Sequence, residues 1–470
     1  MTSGSDNDLG FAAQAGAKQL FFRYGLGFLI NIAGTVVIAR RGGPELWGLF
    51  AISQVVLTVF AVLSQGCWAF VIQNRTPPTR DEVGNCYSLQ AMISALWALM
   101  VLCLSPAIAR HLSSKELFPL LLGTVFGGFF YGWRYVICGL SERNLQYQVS
   151  ALTELSDIMV FNGIAVAGTL AGHPYGGILA GNILRGVVSG IVALSTAQNE
   201  LYFRCSSDVI RRIARFSLPY SGFAALQWLP IYAGPVVAGL FLGVRELGLL
   251  QLAYKTVEYP RVLVTISSRI SMSLFSRLGT QADEVLNGVV RTLNSLFLFL
   301  VPAMGLIAAL GPVWIPPVYG SAWLPMSDVM LVILYPHLVM AMMMILTSLL
   351  SARGNSRASL VFYGVYNAVY WSAVVIVTPH LQFFGLPATE WIALVGCVVL
   401  LRELRSTGIG AGIFARYGGT LLAASLGAAL LHEVALHRTL LESILAGFIM
   451  TGLWFAFSPA RKEIVQWIKR

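Results

Sequence analysis

The chain has 470 residues, 57% of them hydrophobic and only 11% charged, against about 25% charged in an ordinary soluble domain. That composition belongs to the membrane class, and the net charge of +10 is dispersed over helix ends rather than gathered into a nucleic-acid-binding patch, so no nucleic-acid partner is expected. Six cysteines without a CxxC spacing and six histidines without HxxxH or HExxH indicate neither a disulfide framework nor a metal site, and no cofactor is expected.

Apolar runs of spanning length predict an all-α, multi-pass membrane protein of about fourteen transmembrane helices. They lie near 17–39, 46–72, 84–108, 117–140, 149–171, 175–195, 217–243, 247–277, 290–310, 326–351, 358–378, 389–401, 415–434 and 440–458. The twelfth is short unless it starts near Phe383. Residues 1–16 are polar, lack the basic n-region of a cleavable signal, and are expected to form a disordered cytoplasmic tail. With the N-terminus inside, alternate loops place eighteen Lys and Arg on the cytoplasmic face and six outside. Both termini are therefore expected in the cytoplasm. The longest connection, 196–216, ends in the amphipathic DVIRRIARF and is expected to rest in the membrane interface as a linker between two halves. The outer loop LGPVWIPPVYGSAWLP (310–325) reads as a cap whose Trp314, Tyr319 and Trp323 sit at headgroup level.

The two halves look related. A shift of 200 residues superposes GLGFLINIAGTVVIARRGGPELWGL on ALQWLPIYAGPVVAGLFLGVRELGL, with nine identities in the twenty-four positions 26–49. Gly34/Gly234, Gly43/Gly243 and Gly48/Gly248 are among them. Six helices intervene, an even number, so the repeats cross the membrane in the same sense. The expected architecture is two six-helix lobes, 17–195 and 217–401, related by a pseudo-two-fold along the membrane normal, with substrate between them near the midplane. Residues 402–470 would add two helices and a cytoplasmic tail.

One stretch does not suit lipid. Residues 247–278 are mostly apolar yet carry Lys255, Glu258, Arg261 and Arg269 well inside their ends. As one helix they would be roughly 48 Å long, more than the ~30 Å hydrocarbon core needs. Glu258 and Arg269 would fall about 20° apart on its surface, with Lys255 about 40° further round. Each charge at the bilayer centre costs about 2.5–3.5 kcal/mol on insertion scales, so this face must look into a bundle interior or a wet cavity. Pro260 is expected to kink the helix there. Two readings stand: a cationic, water-accessible cavity for an anionic substrate, or internal neutralisation of Lys255 and Arg261 by Glu258 at i±3. The cavity is preferred, because Arg269 has no acid of its own in the helix.

Four further basic groups lie at membrane depth, Arg23, Arg134, Arg185 and Arg291, with two further acids, Glu154 and Asp157. The interior balance of about +4 favours an anionic cargo. Arg291 and Arg134 are expected to snorkel to the surface. Arg185 is expected to pair with Glu154 or Asp157, two acids on one helix face that alternatively form a cation-coupling site. Arg23 shares its face with Gly27 and Gly34, which permit close packing or leave room for a bulky ligand, and it is taken as cavity-lining. His337, beside Pro336, reads as a packed residue rather than a ligand.

VVIARRGGPELWGLFAI (36–52), GLSERNLQYQVSALTE (139–154), LAYKTVEYPRVLVTISSRISMSLFSRL (252–278), PVYGSAWLPMSDVMLVI (317–333) and the ARGNSR turn (352–357) occur in an order and spacing that resemble the polysaccharide-transporter (Wzx-like) branch of the multidrug/oligosaccharidyl-lipid/polysaccharide exporter superfamily. The resemblance spans roughly residues 17–460. It implies a flippase of the bacterial inner membrane, not an enzyme, that moves undecaprenyl-pyrophosphate-linked oligosaccharide (O-antigen, capsule or exopolysaccharide repeat unit) by alternating access. The implied partners are that lipid-linked glycan, membrane lipids, a glycan polymerase and a chain-length regulator. Lipid II flippases of the superfamily use Arg on spans 1 and 8, the regions of Arg23 and Arg269 here. The expected substrate-binding set is therefore Arg23, Lys255, Glu258, Arg261 and Arg269. A lipid II flippase is the alternative within the same architecture. A multidrug antiporter is disfavoured by the lack of acids in spans 1 and 7. A membrane glycan polymerase is disfavoured because no outer loop exceeds about fifteen residues.

Overall fold

The computed structural model describes residues 3–73, 76–197, 201–277, 282–353, 355–404, 411–437 and 440–457. Side chains are described from Gly25 on, except those of 197, 266, 269, 270, 272–274, 276, 277, 282, 356, 411, 440, 456 and 457. Arg23 and Arg269 thus lie on described helices, but their side chains lie outside the described residues.

All described elements are helical. They are α1 (Ser3–Gln73), α2 (Arg80–His111), α3 (Leu117–Arg143), α4 (Tyr147–Leu170), α5 (Pro174–Ala197), α6 (Ser207–Leu242), α7 (Val244–Glu258), α8 (Val262–Arg277), α9 (Ala282–Ala309), α10 (Gly311–Val318), α11 (Met326–Ala352), α12 (Ser356–Leu381), α13 (Gly385–Ala393), α14 (Cys397–Leu404), α15 (Ala411–His437) and α16 (Leu440–Phe457). Ten helices among the described residues are long and apolar enough to cross a membrane, fewer than the expected fourteen. The two counts differ at four places. Gly25–Gln73 and Arg357–Leu404 run for 49 and 48 residues, about twice what one crossing needs. The α7–α8 stretch is divided, and the apolar part of α16, Leu441–Phe455, is short. The helix of α1 begins at Ser3, where a disordered tail to residue 16 is expected. The run FAAQAGAKQLFF is rich in good helix formers.

Backbone geometry marks the repeat. Gly43 interrupts α1 with φ 74° and ψ 178°, and its equivalent Gly243 separates α6 from α7 with φ 115°. Both glycines take a conformation that L side chains avoid. The next residues, Pro44 and Val244, open the following helical segments, Pro44 with its missing N–H at a position where none is needed. Gly48 and Gly248 meet the opposite copy of this turn. A Cβ on Gly48 would run into the Val244 carbonyl, and one on Gly248 into the Pro44 carbonyl.

The chain divides into two compact units, Met1–Val236 with Gly243–Gly248, and Val237–Leu242 with Leu249–Arg470. In the first, helices approach through small residues, as membrane bundles do. A Cβ on Gly27 or Gly34 would strike Ile158 or Asn162 of α4, and Gly127 of α3 faces Gly186 of α5. One end of this unit is an apolar cluster to which α1 brings Phe70, α2 Tyr87, α3 Ile137 and α6 the fully buried Ile213. DVIRRIARF packs Ile213 on protein, leaves Phe216 exposed, and is the first part of the unbroken helix α6. Its Arg211, Arg212 and Arg215 stay exposed, with Arg212 paired to Glu82 at 2.6 Å. Glu82 also closes a capping box with Thr79 at the start of α2. In the second unit, the aromatics of 310–325 are folded inward: Tyr319 and Trp323 are buried, and Trp314 donates to the Ile307 carbonyl at 2.9 Å. The three rings pack in series, Trp314 edge to face on Tyr319 at 5.8 Å and Tyr319 tilted against Trp323 at 6.2 Å.

Candidate functional site

The first unit holds a closed polar network. Asp157 of α4 receives Arg185 of α5 through two bonds, Nε–Oδ1 at 2.8 Å and Nη2–Oδ2 at 2.9 Å. Tyr131 of α3 donates to the same carboxylate at 3.2 Å. Arg134, one turn along α3, reaches Asp157 at 3.7 Å and donates to Ser189 at 3.2 Å, its guanidinium lying 3.3 Å above the Tyr131 ring. Arg134 is buried, so the expected snorkelling is corrected; Asp157 and the Tyr131 ring supply its counter-charge inside the bundle. Arg185 also donates to Gln54 of α1 at 3.2 Å, and Asn182 joins Thr124 at 3.1 Å. Of the acids Glu154 and Asp157, the second takes both guanidiniums, which leaves it committed to arginine rather than open to a cation. The arrangement ties α1, α3, α4 and α5 together at depth. Gly27 and Gly34 serve that packing, while Arg291 is exposed in the third turn of α9.

The second unit holds a different cluster, and two prolines build it. At Pro260 the helix gives way to a 3-10 turn, Tyr259–Arg261, between α7 and α8; without an N–H, proline cannot continue the ladder. Glu258 and Arg261 flank this turn and form an ion pair. Arg261 also donates to the Met344 sulfur of α11 at 3.4 Å. The Pro336 ring removes the bond that would close on the Val332 carbonyl, and the Trp391 indole donates to that carbonyl instead, at 2.8 Å. Trp391 stacks on Tyr335 at 4.7 Å, which docks α13 on α11 and brings the buried Glu390 to the next residue, His337. The His337 Nδ1 lies 3.2 Å from Glu390 Oε2 and 2.9 Å from the Ile333 carbonyl. Its Nε2 lies 3.9 Å from Glu258 Oε1. The Tyr254 ring meets the imidazole edge to face at 5.6 Å.

Of the expected substrate-binding residues, Glu258 and Arg261 are thus together and paired, as internal neutralisation expects for these two. Lys255 is half-buried on α7, and the side chains of Arg23 and Arg269 lie outside the described residues. The sequence does not single out Glu390, and it marks His337 only as a packed residue. Glu390 stood at the edge of the weak twelfth span, and His337 was read as packing; the signal that marks both is a proline-freed carbonyl, which cannot be assigned to Trp391 from sequence.

The family profile described as polysaccharide biosynthesis protein matches residues 37–328. The chain belongs to this family. The match takes in Glu258, Arg261 and the Asp157 network and ends before His337 and Glu390. Among curated proteins, the teichuronic acid biosynthesis protein TuaB of Bacillus subtilis (strain 168) is 25% identical over 374 residues, 76% of this chain and 73% of that protein. Among solved structures, the fold is similar to that of the lipid II flippase MurJ in an inward closed conformation, with a TM-score of 0.72 at 16% identity over 96% of this chain and 99% of that one. It is also similar to a multidrug resistance MATE family transporter of the MOP superfamily in an inward-facing conformation, with a TM-score of 0.61 at 14% identity over 81% and 95%. This member of the polysaccharide biosynthesis family is a helical, multi-pass membrane protein with the fold of the MOP superfamily.

Proposed function

We propose that the chain is a flippase that carries polyprenyl-pyrophosphate-linked oligosaccharide to the periplasmic leaflet of the bacterial inner membrane by alternating access, with both termini in the cytoplasm. What supports this reading is the set of basic residues Lys255, Arg261 and Arg269 within one apolar stretch of the sequence, in a chain of the polysaccharide biosynthesis family. Arg23, Arg261 and Arg269 would hold the pyrophosphate through planar, two-pronged contacts and Lys255 as a point charge. Arg261, which binds Glu258 here, would exchange that carboxylate for phosphate oxygens. A membrane potential negative inside favours outward movement of an anion by about 2.3 kcal/mol per charge per 100 mV, so two charges gain roughly 4.6 kcal/mol. The polymerase and chain-length regulator would receive the glycan on the far side. Replacing Arg269 with Ala should abolish glycan display while protein level is unchanged; normal display would remove Arg269 from the clamp.

Likeness to the lipid II flippase over nearly its whole length supports a second reading, lipid II as cargo. Rescue of a strain depleted of its own lipid II flippase would favour that cargo, and failure to rescue alongside restored glycan display would favour the first.

A further inference from the structure

Among the described residues, the charges facing His337 do not sum to zero while its ring is neutral. Facing it are Glu258 from α7, Arg261 from the 3-10 turn and Glu390 from α13. The Tyr254 phenol of α7 and the Tyr366 and Tyr370 phenols of α12 lie close enough to Glu390 to feel its charge. Two carboxylates and one guanidinium leave one negative charge at membrane depth. A proton on the ring brings the group to neutrality, the state a low-dielectric interior favours.

The ring geometry says where that proton goes. Nδ1 faces two acceptors, the Ile333 carbonyl and the Glu390 carboxylate. A carbonyl cannot donate, so Nδ1 carries the hydrogen of the neutral ring. The lone pair is then on Nε2, directed at Glu258 Oε1 across 3.9 Å, a gap too long for a hydrogen bond. Glu258 is meanwhile held by Arg261. The His337 and Glu390 side chains are 8% and 9% exposed, whereas Glu258 and Arg261 keep 15% and 20% and so stand toward accessible space.

We propose that His337 Nε2 is a proton-binding site whose occupation draws Glu258 away from Arg261 and hands the Arg261 guanidinium to an anionic headgroup. A proton taken from the buffered solution binds Nε2, the imidazolium donates to Glu258 Oε1, and Arg261 turns to phosphate oxygens. A proton and the anion then bind the same state of the protein, each raising the affinity for the other by the same factor. The anion half of this statement rests on the flippase reading; the exchange of Glu258 between Arg261 and His337 does not.

The full chain in detergent tests both. Geranyl pyrophosphate serves as probe, and calorimetry in buffers of different ionisation enthalpy counts protons taken up per probe bound. Wild type should take up about one proton more than His337→Gln, and its affinity should fall about tenfold per pH unit once the ring is deprotonated. His337→Gln should bind with the weak, high-pH affinity of wild type at every pH, after allowance for the probe's own ionisation. Equal proton uptake in the two proteins overturns the proposal. Independently, the His337 ring is followed by NMR. Arg261→Gln frees Glu258 for the ring and should move its titration upward by about one pH unit or more, and Glu258→Gln should move it down. An unmoved titration in Arg261→Gln overturns the switch even if the probe binds. Absence of probe binding in wild type at every pH, with the NMR shifts present, sinks the pyrophosphate clamp and leaves the switch standing.

Discussion

Asp157 serves two guanidiniums and a phenol at once, and the residue that gives most to its neighbours is the one whose loss is felt most. Neutralising it leaves Arg134 and Arg185 facing each other with their shared counter-charge gone. Breaking a buried pair by removing one partner typically costs about 3–5 kcal/mol. Asp157→Asn should therefore lower the midpoint of thermal unfolding in detergent markedly, and Arg185→Gln in the same chain should restore part of the loss. If Asp157→Asn unfolds like wild type, the network does not support the fold. The pairing of Arg185 with an acid of the preceding span could be read from charge and spacing alone. That Arg134 would join it, lying on the Tyr131 ring rather than reaching for water, could not, because the choice depends on which face of α3 looks at α4.

At the scale of elements, the most legible features were four glycines that match across a shift of 200 residues, because they perform backbone tasks that no other residue performs as well. Gly43 and Gly243 bend the chain, and Gly48 and Gly248 let carbonyls approach. These tasks differ in energy. An L-Ala at Gly43 would meet no atom within 4 Å, so it pays only for conformation, about 1–2 kcal/mol. An alanine at Gly48 would displace the Val244 carbonyl, and overpacking of this kind costs about 1–3 kcal/mol or more when backbone must move. Gly48→Ala should lower the unfolding midpoint more than Gly43→Ala; the reverse order would mean that the approach of the two turns is looser than the coordinates have it. What stayed illegible were the places where one element completes another. The Val332 carbonyl, orphaned by Pro336, is satisfied by an indole 59 residues further on, and with it Glu390 comes to His337. The amphipathic pattern of 208–216 was plain, yet pattern alone does not say whether its apolar face meets lipid or the side chains around Ile213.

For the molecule as a whole, orientation is the property most open to a simple measurement. All six cysteines are free, and Cys205 is exposed in the segment before α6, whereas Cys67, Cys86, Cys138 and Cys397 are buried. With Cys103, the other exposed thiol, changed to Ser, a membrane-impermeant maleimide should label the chain in inverted vesicles and not in intact spheroplasts. Labelling from outside would reverse the orientation that the excess of Lys and Arg implies. Fold class followed from composition because a bilayer admits few backbone solutions. The number of crossings was harder to judge, since a kinked pair of helices and a single long one share the same apolar run.

The turn at Gly43 also has a handedness. Its φ of 74° and ψ of 178° are the reflection of an ordinary extended pair, so the strain an L residue meets there is a matter of chirality alone. A D-alanine introduced at this position by chemical ligation would rest in its own preferred basin and would hold the unfolded chain to fewer shapes than glycine does. The same atom count, mirrored, would turn a cost into a gain.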